Sequence, residues 1–289
     1  MPRVKVRHEM PSVQITKVEF ARRFRERFND PAFTGSAAEI DTLIDIAWEG
    51  YDEYRRAPRR KKAGKGFADP DYDLPVEWLA TRQAIHKAER RYKDPQSPSR
   101  VLLINGSSRS EKTCPGEMSK TYRLVKMAER IFGKENIAVD LLDLSRLTSE
   151  YGRMIHPCKA CVSTAMQLCH WPCSCYPNHA LGQVNDWMAE IYPLWVAAHG
   201  VMIVSPVHWY QAPSTLKLMM DRLVCADGGN PDPTTTKNKD PNSRRKSSSP
   251  AGRIHAISRA AFFPSSSMAT RKAWKIYATA WTVGCPIWV

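Results

Sequence analysis

Hydrophobic positions in the first third of the chain recur at helical spacing. Three aromatic residues would share one helical stripe: Phe20, Phe24 and Phe28. Ser36 and Glu39 have the spacing of a capping box, and a second helical pattern follows them. Pro75 can begin a third helix. Residues 1–98 are therefore predicted to form a helical N-terminal extension.

The next part of the chain, residues 99–240, alternates short apolar runs with helical patterns. Three apolar runs have the length of strands: 101–106, 137–145 and 200–207. Helices are predicted around 124–131, from 179 to 199 and from 216 to 224. Strands that alternate with helices indicate a parallel sheet that is covered on both faces. The fold class predicted for this part is α/β.

A basic run, RRAPRRKKAGKG at Arg55–Gly66, separates the second and third predicted helices. No aromatic residue interrupts it, so we predict a solvated and mobile linker. A contact with phosphate or with a membrane is the alternative. The composition, 43% hydrophobic and 25% charged, excludes a wholly disordered chain, a collagen and a coiled coil. Without a long apolar run or a signal-peptide pattern, the expected location is the cytoplasm, with no membrane contact.

The formal net charge of +14 is concentrated at the end of the chain. Residues 241–289 contain eight Lys and Arg residues and no Asp or Glu. In a reading frame that joins the third base of each codon to the first two bases of the next, four residues are forced. They are Gly, Glu, Asp and Gly, at the junctions that follow Met268, Trp274, Trp281 and Trp288. The same frame permits a strand-like VFSVVVHGD segment. We therefore predict a frame shift near Asn242, an aberrant and disordered tail, and an incomplete sheet. A genuine basic tail is the alternative.

Two loops that follow predicted strands carry groups suited to a phosphorylated planar ligand. INGSSRS, at 104–110, supplies hydroxyls and Arg109, and SKT precedes a helix N-terminus. The first loop lacks the glycines of the dinucleotide-binding and Walker motifs. The second loop, Pro206–Tyr210, offers flat and polarisable groups. Carboxyl ends of parallel strands share one edge, so we expect both loops to form one site.

These motifs, together with SPVHWYQAPSTLKLMMDRL from Ser205, make residues 100–233 resemble the flavodoxin-like NAD(P)H-dependent FMN reductases. The resemblance implies a three-layer sandwich, bound FMN, NAD(P)H as co-substrate and a second, small-molecule electron acceptor. It implies a set of phosphate ligands: Ser107, Arg109, Ser119, Lys120 and Thr121. It also implies a set of residues that line the isoalloxazine: Pro206, Val207, His208, Trp209 and Tyr210. No catalytic acid or base is assigned.

Five cysteines crowd into one stretch: Cys158, Cys161, Cys169, Cys173 and Cys175. Thiolates at such spacings could ligate zinc or an iron–sulfur cluster, and buried or redox-active thiols are the alternative. Other functions also stay open: a flavodoxin-type electron carrier, an iron–sulfur flavoprotein, and a nucleic-acid binder that uses the basic runs. We expect no specific nucleic acid and a homo-oligomer, with Trp187, Trp195 and Trp209 suited to a dimer contact.

Overall fold

The computed structural model describes residues 15–56, 60–111, 118–161, 168–178, 183 and 185–237, apart from the side chains of 50 and 53–56. The tail with the proposed frame shift lies outside these residues, so that hypothesis stays a prediction. Packing divides the chain into two compact units. The first unit contains the described residues up to Leu79, those within Ser174–Asp186, and those from Asp232 onwards. The second unit contains the described residues within Ala80–Cys173 and Trp187–Pro231.

The helices and strands of the described residues follow one another in this order: α1 (Lys17–Arg25), α2 (Ala37–Arg56), β1 (Arg60–Lys62), β2 (Asp73–Pro75), α3 (Val76–Lys93), β3 (Arg100–Asn105), α4 (Lys120–Lys134), β4 (Ala138–Asp143), α5 (Arg146–Ser149), α6 (Met188–Ala197), β5 (Gly200–Val204) and α7 (Ser214–Leu223). Short 3₁₀ turns cover Glu26–Phe28, Pro31–Phe33, Val224–Ala226 and Pro233–Thr236.

Helices α1 and α2 of the first unit are joined by aromatic contacts. The predicted stripe is confirmed, since the ring of Phe24 lies 5.9 Å from that of Phe20 and 5.7 Å from that of Phe28. Trp48 and Tyr51 of α2 pack on Phe20 at centroid distances of 5.4 and 5.1 Å. The predicted helix after Pro75 is also confirmed, because α3 begins at the next residue.

The prediction of a mobile linker over 55–66 is wrong for residues 60–62. These residues form β1, which pairs antiparallel with β2. The Lys62 ammonium donates to the Asp71 carbonyl at 2.8 Å and lies 3.1 Å from the Asp73 carboxylate, so acidic residues downstream anchor the basic run. Residues 57–59 lie outside the described residues.

The loop between β1 and β2 is bound by residues from far along the chain. The Ala68 N–H donates to the Asp232 carboxylate at 2.7 Å, and the Asp69 N–H donates to Thr234 Oγ1 at 3.1 Å. Thr234 and Thr236 are almost fully buried. The first unit therefore includes a late segment of the chain as part of its packing.

The second unit is built on a parallel sheet with strand order β4-β3-β5. Central β3 is buried along its whole length. Leu103 packs on one face against Val125 and Phe132 of α4, and Leu102 packs on the other face in a core that includes α6 and α7. The α/β fold class and its flavodoxin-like layers are confirmed. Among the described residues no strand pairs with the outer edge of β5, where Ile203 is 40% exposed.

Helix α6 starts later than the sequence pattern indicated. Asn178 and Gln183 exchange two backbone hydrogen bonds of 2.9 Å, and the helix begins only at Met188. Trp187 and Trp195 lie in the core of the second unit, so the expectation that they form a dimer contact is wrong. Trp209 is exposed, and the homo-oligomer stays a prediction. No helix in the described residues is both long and apolar enough to cross a membrane.

The neutral imidazole of His199 binds the backbone at the amino end of β3. The Arg100 N–H donates to His199 Nδ1 at 3.1 Å, and Nε2 lies 3.1 Å from the Tyr92 carbonyl. Nδ1 must therefore be unprotonated while Nε2 carries the proton. Burial lowers the pKa of His199, although the Tyr92 carbonyl opposes the shift.

We expect the free energy of unfolding to fall with pH below about 6.5, where the histidine of the unfolded chain takes up a proton that folded His199 resists. Above that pH His199 is neutral in both the folded and the unfolded chain, and its contribution to the pH dependence of stability vanishes. The slope should stay well below the limiting ~1.4 kcal/mol per pH unit, since water screens the half-buried ring. Urea titrations between pH 5 and 8 should show a flatter profile for His199→Asn than for the parent. Equal slopes in the two proteins would contradict this assignment.

Candidate active site at the carboxyl edge of the sheet

Two loops meet where β3 and β5 end: the β3 loop (106–111) and the β5 loop (205–213). Asn105 stands opposite Val204 in the parallel ladder, so both chains leave the sheet at the same edge. The Gly106 N–H donates to the Val204 carbonyl at 2.8 Å and extends the contact beyond β3. Open α/β sheets bind their ligands at this edge.

Gly106 marks a close approach between the loops. A Cβ atom at this position would lie 2.8 Å from both Cβ and Oγ of Ser205, and 3.0 Å from Leu216 Cδ2. Farther along, Ser108 Oγ lies 3.3 Å from Thr215 Oγ1 in the first turn of α7. The β3 loop is thus held against the β5 loop and α7.

The middle of the β3 loop offers hydrogen-bond donors. Ser107 is only 2% exposed, and its Oγ accepts the Arg109 N–H at 3.0 Å. Within the described part of the chain, no group accepts the Ser107 hydroxyl proton, and the Arg109 guanidinium has neither a hydrogen bond nor an ion pair. Arg109 is exposed. The loop therefore has a hydroxyl and a cation that are available to an anion.

Helix α4 begins beside the same loop. Its N-cap is Ser119, whose Oγ lies 3.5 Å from the Tyr122 N–H. Ser119 and Thr121 are buried and Lys120 is exposed. A hydrogen bond to the Glu111 carboxylate, with burial, raises the pKa of Tyr122 to about 12, so the described end of the β3 loop reaches the first turn of α4. That turn carries partial positive charge on its free N–H groups.

The aromatic residues of the β5 loop stand on a tight turn. His208 and Gln211 exchange two backbone hydrogen bonds of 2.9 Å, and between them Trp209 and Tyr210 have φ values of 50° and 64°. Positive φ at both central positions is the geometry of a type I′ turn, which favours Asn and Gly. Trp209 is 93% exposed and Tyr210 is 94% exposed. Two bulky rings are thus presented outward from a strained backbone.

The remaining residues predicted to line the ring are also accessible. Val207 is 76% exposed, His208 is exposed and Pro206 is half-buried. The Pro206 carbonyl accepts the Ser205 hydroxyl at 3.0 Å. The predicted phosphate and ring residues therefore divide into a mostly buried group at the end of β3 and an exposed group after β5.

Two polar residues at the ends of the strands, Asn105 and Asp143, were not predicted from the sequence. Asn105 Nδ2 donates to Asp143 Oδ1 at 2.7 Å, and Asn105 Oδ1 accepts the Ser107 N–H at 3.2 Å. Asp143 Oδ1 also accepts the Ser145 N–H at 3.0 Å. The dipeptide Asn-Gly after an apolar run indicates a turn, and that signal could have identified Asn105.

The cysteine-rich stretch lies on irregular chain. Among the described cysteines, Cys169 and Cys225 are buried, Cys161, Cys173 and Cys175 are half-buried, and Cys158 is exposed. Burial raises the pKa of Cys225 to about 12. In the described ranges, no group of three His, Cys, Asp or Glu side chains is placed to hold a metal ion. The metal-binding and redox roles of these thiols stay predictions.

Comparison with known proteins identifies one family. Residues 99–239 match the family model of the NADPH-dependent FMN reductases. The match covers both loops and all the strands and helices from β3 to α7. Neither a curated protein nor a solved structure gives a significant match to this chain.

Proposed function

From the membership of residues 99–239 in the NADPH-dependent FMN reductase family, we propose that the chain reduces bound FMN and passes the electrons to a second, small-molecule acceptor. The family makes this segment an oxidoreductase domain with FMN as cofactor and NAD(P)H as reductant, so the resemblance drawn from the motifs is confirmed. The acceptor and the individual ligands belong to the proposal.

The observation that carries the proposal is the set of anion-binding groups at one edge of the sheet. Ser107 has an unused hydroxyl proton, Arg109 is a cation without a described partner, and the first turn of α4 contacts Glu111 at the described end of the same loop. Phosphate monoesters bind to such combinations of helix N-termini, hydroxyls and guanidinium groups. The residues present therefore fit the FMN phosphate, with Ser119, Lys120 and Thr121 completing the set.

The β5 loop is proposed to hold the ring system. When bound, FMN supplies the two-electron chemistry between NAD(P)H and the acceptor. The protein supplies flat side chains, Trp209 and Tyr210, that can stack on an aromatic ring, and the His208 imidazole as the ionisable group on the same loop. The exposure of these residues leaves one face of the loop open to a second molecule.

Anaerobic mixing with NADPH tests the function. The chain loaded with FMN should lose its oxidised flavin absorbance in a single rapid phase, and addition of a quinone or a dye acceptor should restore it. A flavodoxin-type electron carrier, the alternative, would bind FMN but would not be reduced by NADPH at a useful rate. That result, or a chain without any affinity for FMN, would contradict the proposal.

A further inference from the structure

We propose that Asn105 and Asp143 are positioning residues that set the β3 loop for the phosphate of FMN, without contacting the cofactor. This assignment rests on the proposed function. Asn105 is the last residue of β3 and is fully buried. Asp143 is the last residue of the neighbouring strand β4 and is half-buried. The pair therefore links two strand ends beneath the loop.

A continuous path of hydrogen bonds runs from β4 to the exposed end of the loop. The Ser145 N–H donates to Asp143 Oδ1 at 3.0 Å, and Asn105 Nδ2 donates to the same oxygen at 2.7 Å. Asn105 Oδ1 accepts the Ser107 N–H at 3.2 Å, and Ser107 Oγ accepts the Arg109 N–H at 3.0 Å. Each bond fixes the position of the next donor.

Only one orientation of the Asn105 amide satisfies both of its hydrogen-bonding neighbours. The Ser107 N–H needs an acceptor, so the Asn105 amide must turn its oxygen towards the loop. Its NH₂ group then faces Asp143 and needs an acceptor there, which a carboxylate supplies in a short, charge-assisted bond. An apolar residue at 105 would leave both the Ser107 N–H and the Asp143 carboxylate without this partner.

The consequence for the site is an oriented Ser107. Because its Oγ already accepts the Arg109 N–H, its hydroxyl proton is left to point elsewhere. A change at Asn105 should therefore disturb the phosphate end of the cofactor site and leave the β5 loop unaffected. FMN and riboflavin differ only in that phosphate, so their ratio of affinities isolates the effect.

Fluorescence titration of FMN and of riboflavin tests the assignment on the full chain. The parent should bind FMN more tightly than riboflavin. Asn105→Asp places two carboxylates together and should weaken FMN binding about tenfold or more, with little change for riboflavin. Asp143→Asn keeps an oxygen at position 143 that can accept from both Asn105 Nδ2 and the Ser145 N–H, so FMN affinity should stay within about threefold of the parent.

Three results would overturn the assignment alone. One is an equal loss for both flavins in Asn105→Asp, which would indicate damage to the fold alone. Another is an Asn105→Asp variant that keeps its preference for FMN over riboflavin, while Arg109→Ala loses that preference. This second result would leave the proposed function intact. The third is a folded Asp143→Asn variant without FMN preference, although its amide oxygen can still accept both bonds, and this result decides the matter if Asn105→Asp does not fold. A parent that binds both flavins equally, or neither, would instead remove the proposed phosphate site and this assignment with it.

Discussion

Gly106→Ala should destabilise the second unit by ~1–3 kcal/mol, because no space exists for the added methyl group. It would lie 2.8 Å from the Cβ of Ser205, an atom that can move only with its backbone. Leu216 Cδ2 closes the other side at 3.0 Å. The strands cannot separate freely, since the Gly106 N–H is bonded to the Val204 carbonyl. The same shift would displace the β3 loop, so FMN affinity should fall as well.

Urea unfolding with matched variants measures this effect. Gly133→Ala lies within α4, where a Cβ would meet nothing within 4 Å, and this control should stabilise the chain by up to ~1 kcal/mol through its helix propensity. Ser205→Gly removes the atoms that clash and should rescue part of the Gly106→Ala loss. If Gly106→Ala behaved like Gly133→Ala, the close approach would not exist in solution.

Replacing Trp209 and Tyr210 together with Asn and Gly should raise stability and weaken flavin binding. Both residues have positive φ in a two-residue turn, and relief of this strain should add ~1–3 kcal/mol to the free energy of unfolding. If the rings stack on the isoalloxazine, their loss should raise the Kd for FMN and for riboflavin by about tenfold. The loss of affinity for both flavins distinguishes this variant from those in the β3 loop.

Tyr151→Asn is the matched control for the turn. Tyr151 is 92% exposed, like the two turn residues, but it is not among the residues with positive φ. Its replacement should change neither stability nor flavin affinity by much. A gain in stability without a loss of affinity in the turn variant would show that the rings do not touch the flavin. An absent gain would show that the turn is not strained.

The sheet could be predicted because its central strand is apolar on both faces. Runs such as 101–106 are buried along their length and need no knowledge of their neighbours. The start of α6 could not be read in this way, because the pairing of Asn178 with Gln183 is a contact between residues of ordinary polarity. Likewise, Arg60–Lys62 became a strand only through its pairing with β2.

The candidate site was predictable in part for a similar reason. Hydroxyls and basic residues after a strand are visible in a sequence, and they single out the loop that carries Arg109. The phosphate roles of Ser107 and Arg109 came from the family resemblance and stay predictions. Asp143 was missed because a carboxylate at the end of a strand has no distinctive pattern until its partner Asn105 is known. Trp187 and Trp195 show the opposite error, since tryptophan suits both an interface and a core, and only the packing distinguishes them.

The binding of Asp232 to the backbone of Ala68 has a consequence for biosynthesis. The two residues are separated by 164 positions, so the N-terminal helices leave the ribosome long before the segment that completes their unit. At roughly 5–20 residues per second, this delay amounts to about 8–30 s. During that interval the loop between β1 and β2 lacks the hydrogen bonds that Asp232 and Thr234 accept from it. Among the described residues, the unit that emerges first is therefore the last to be completed.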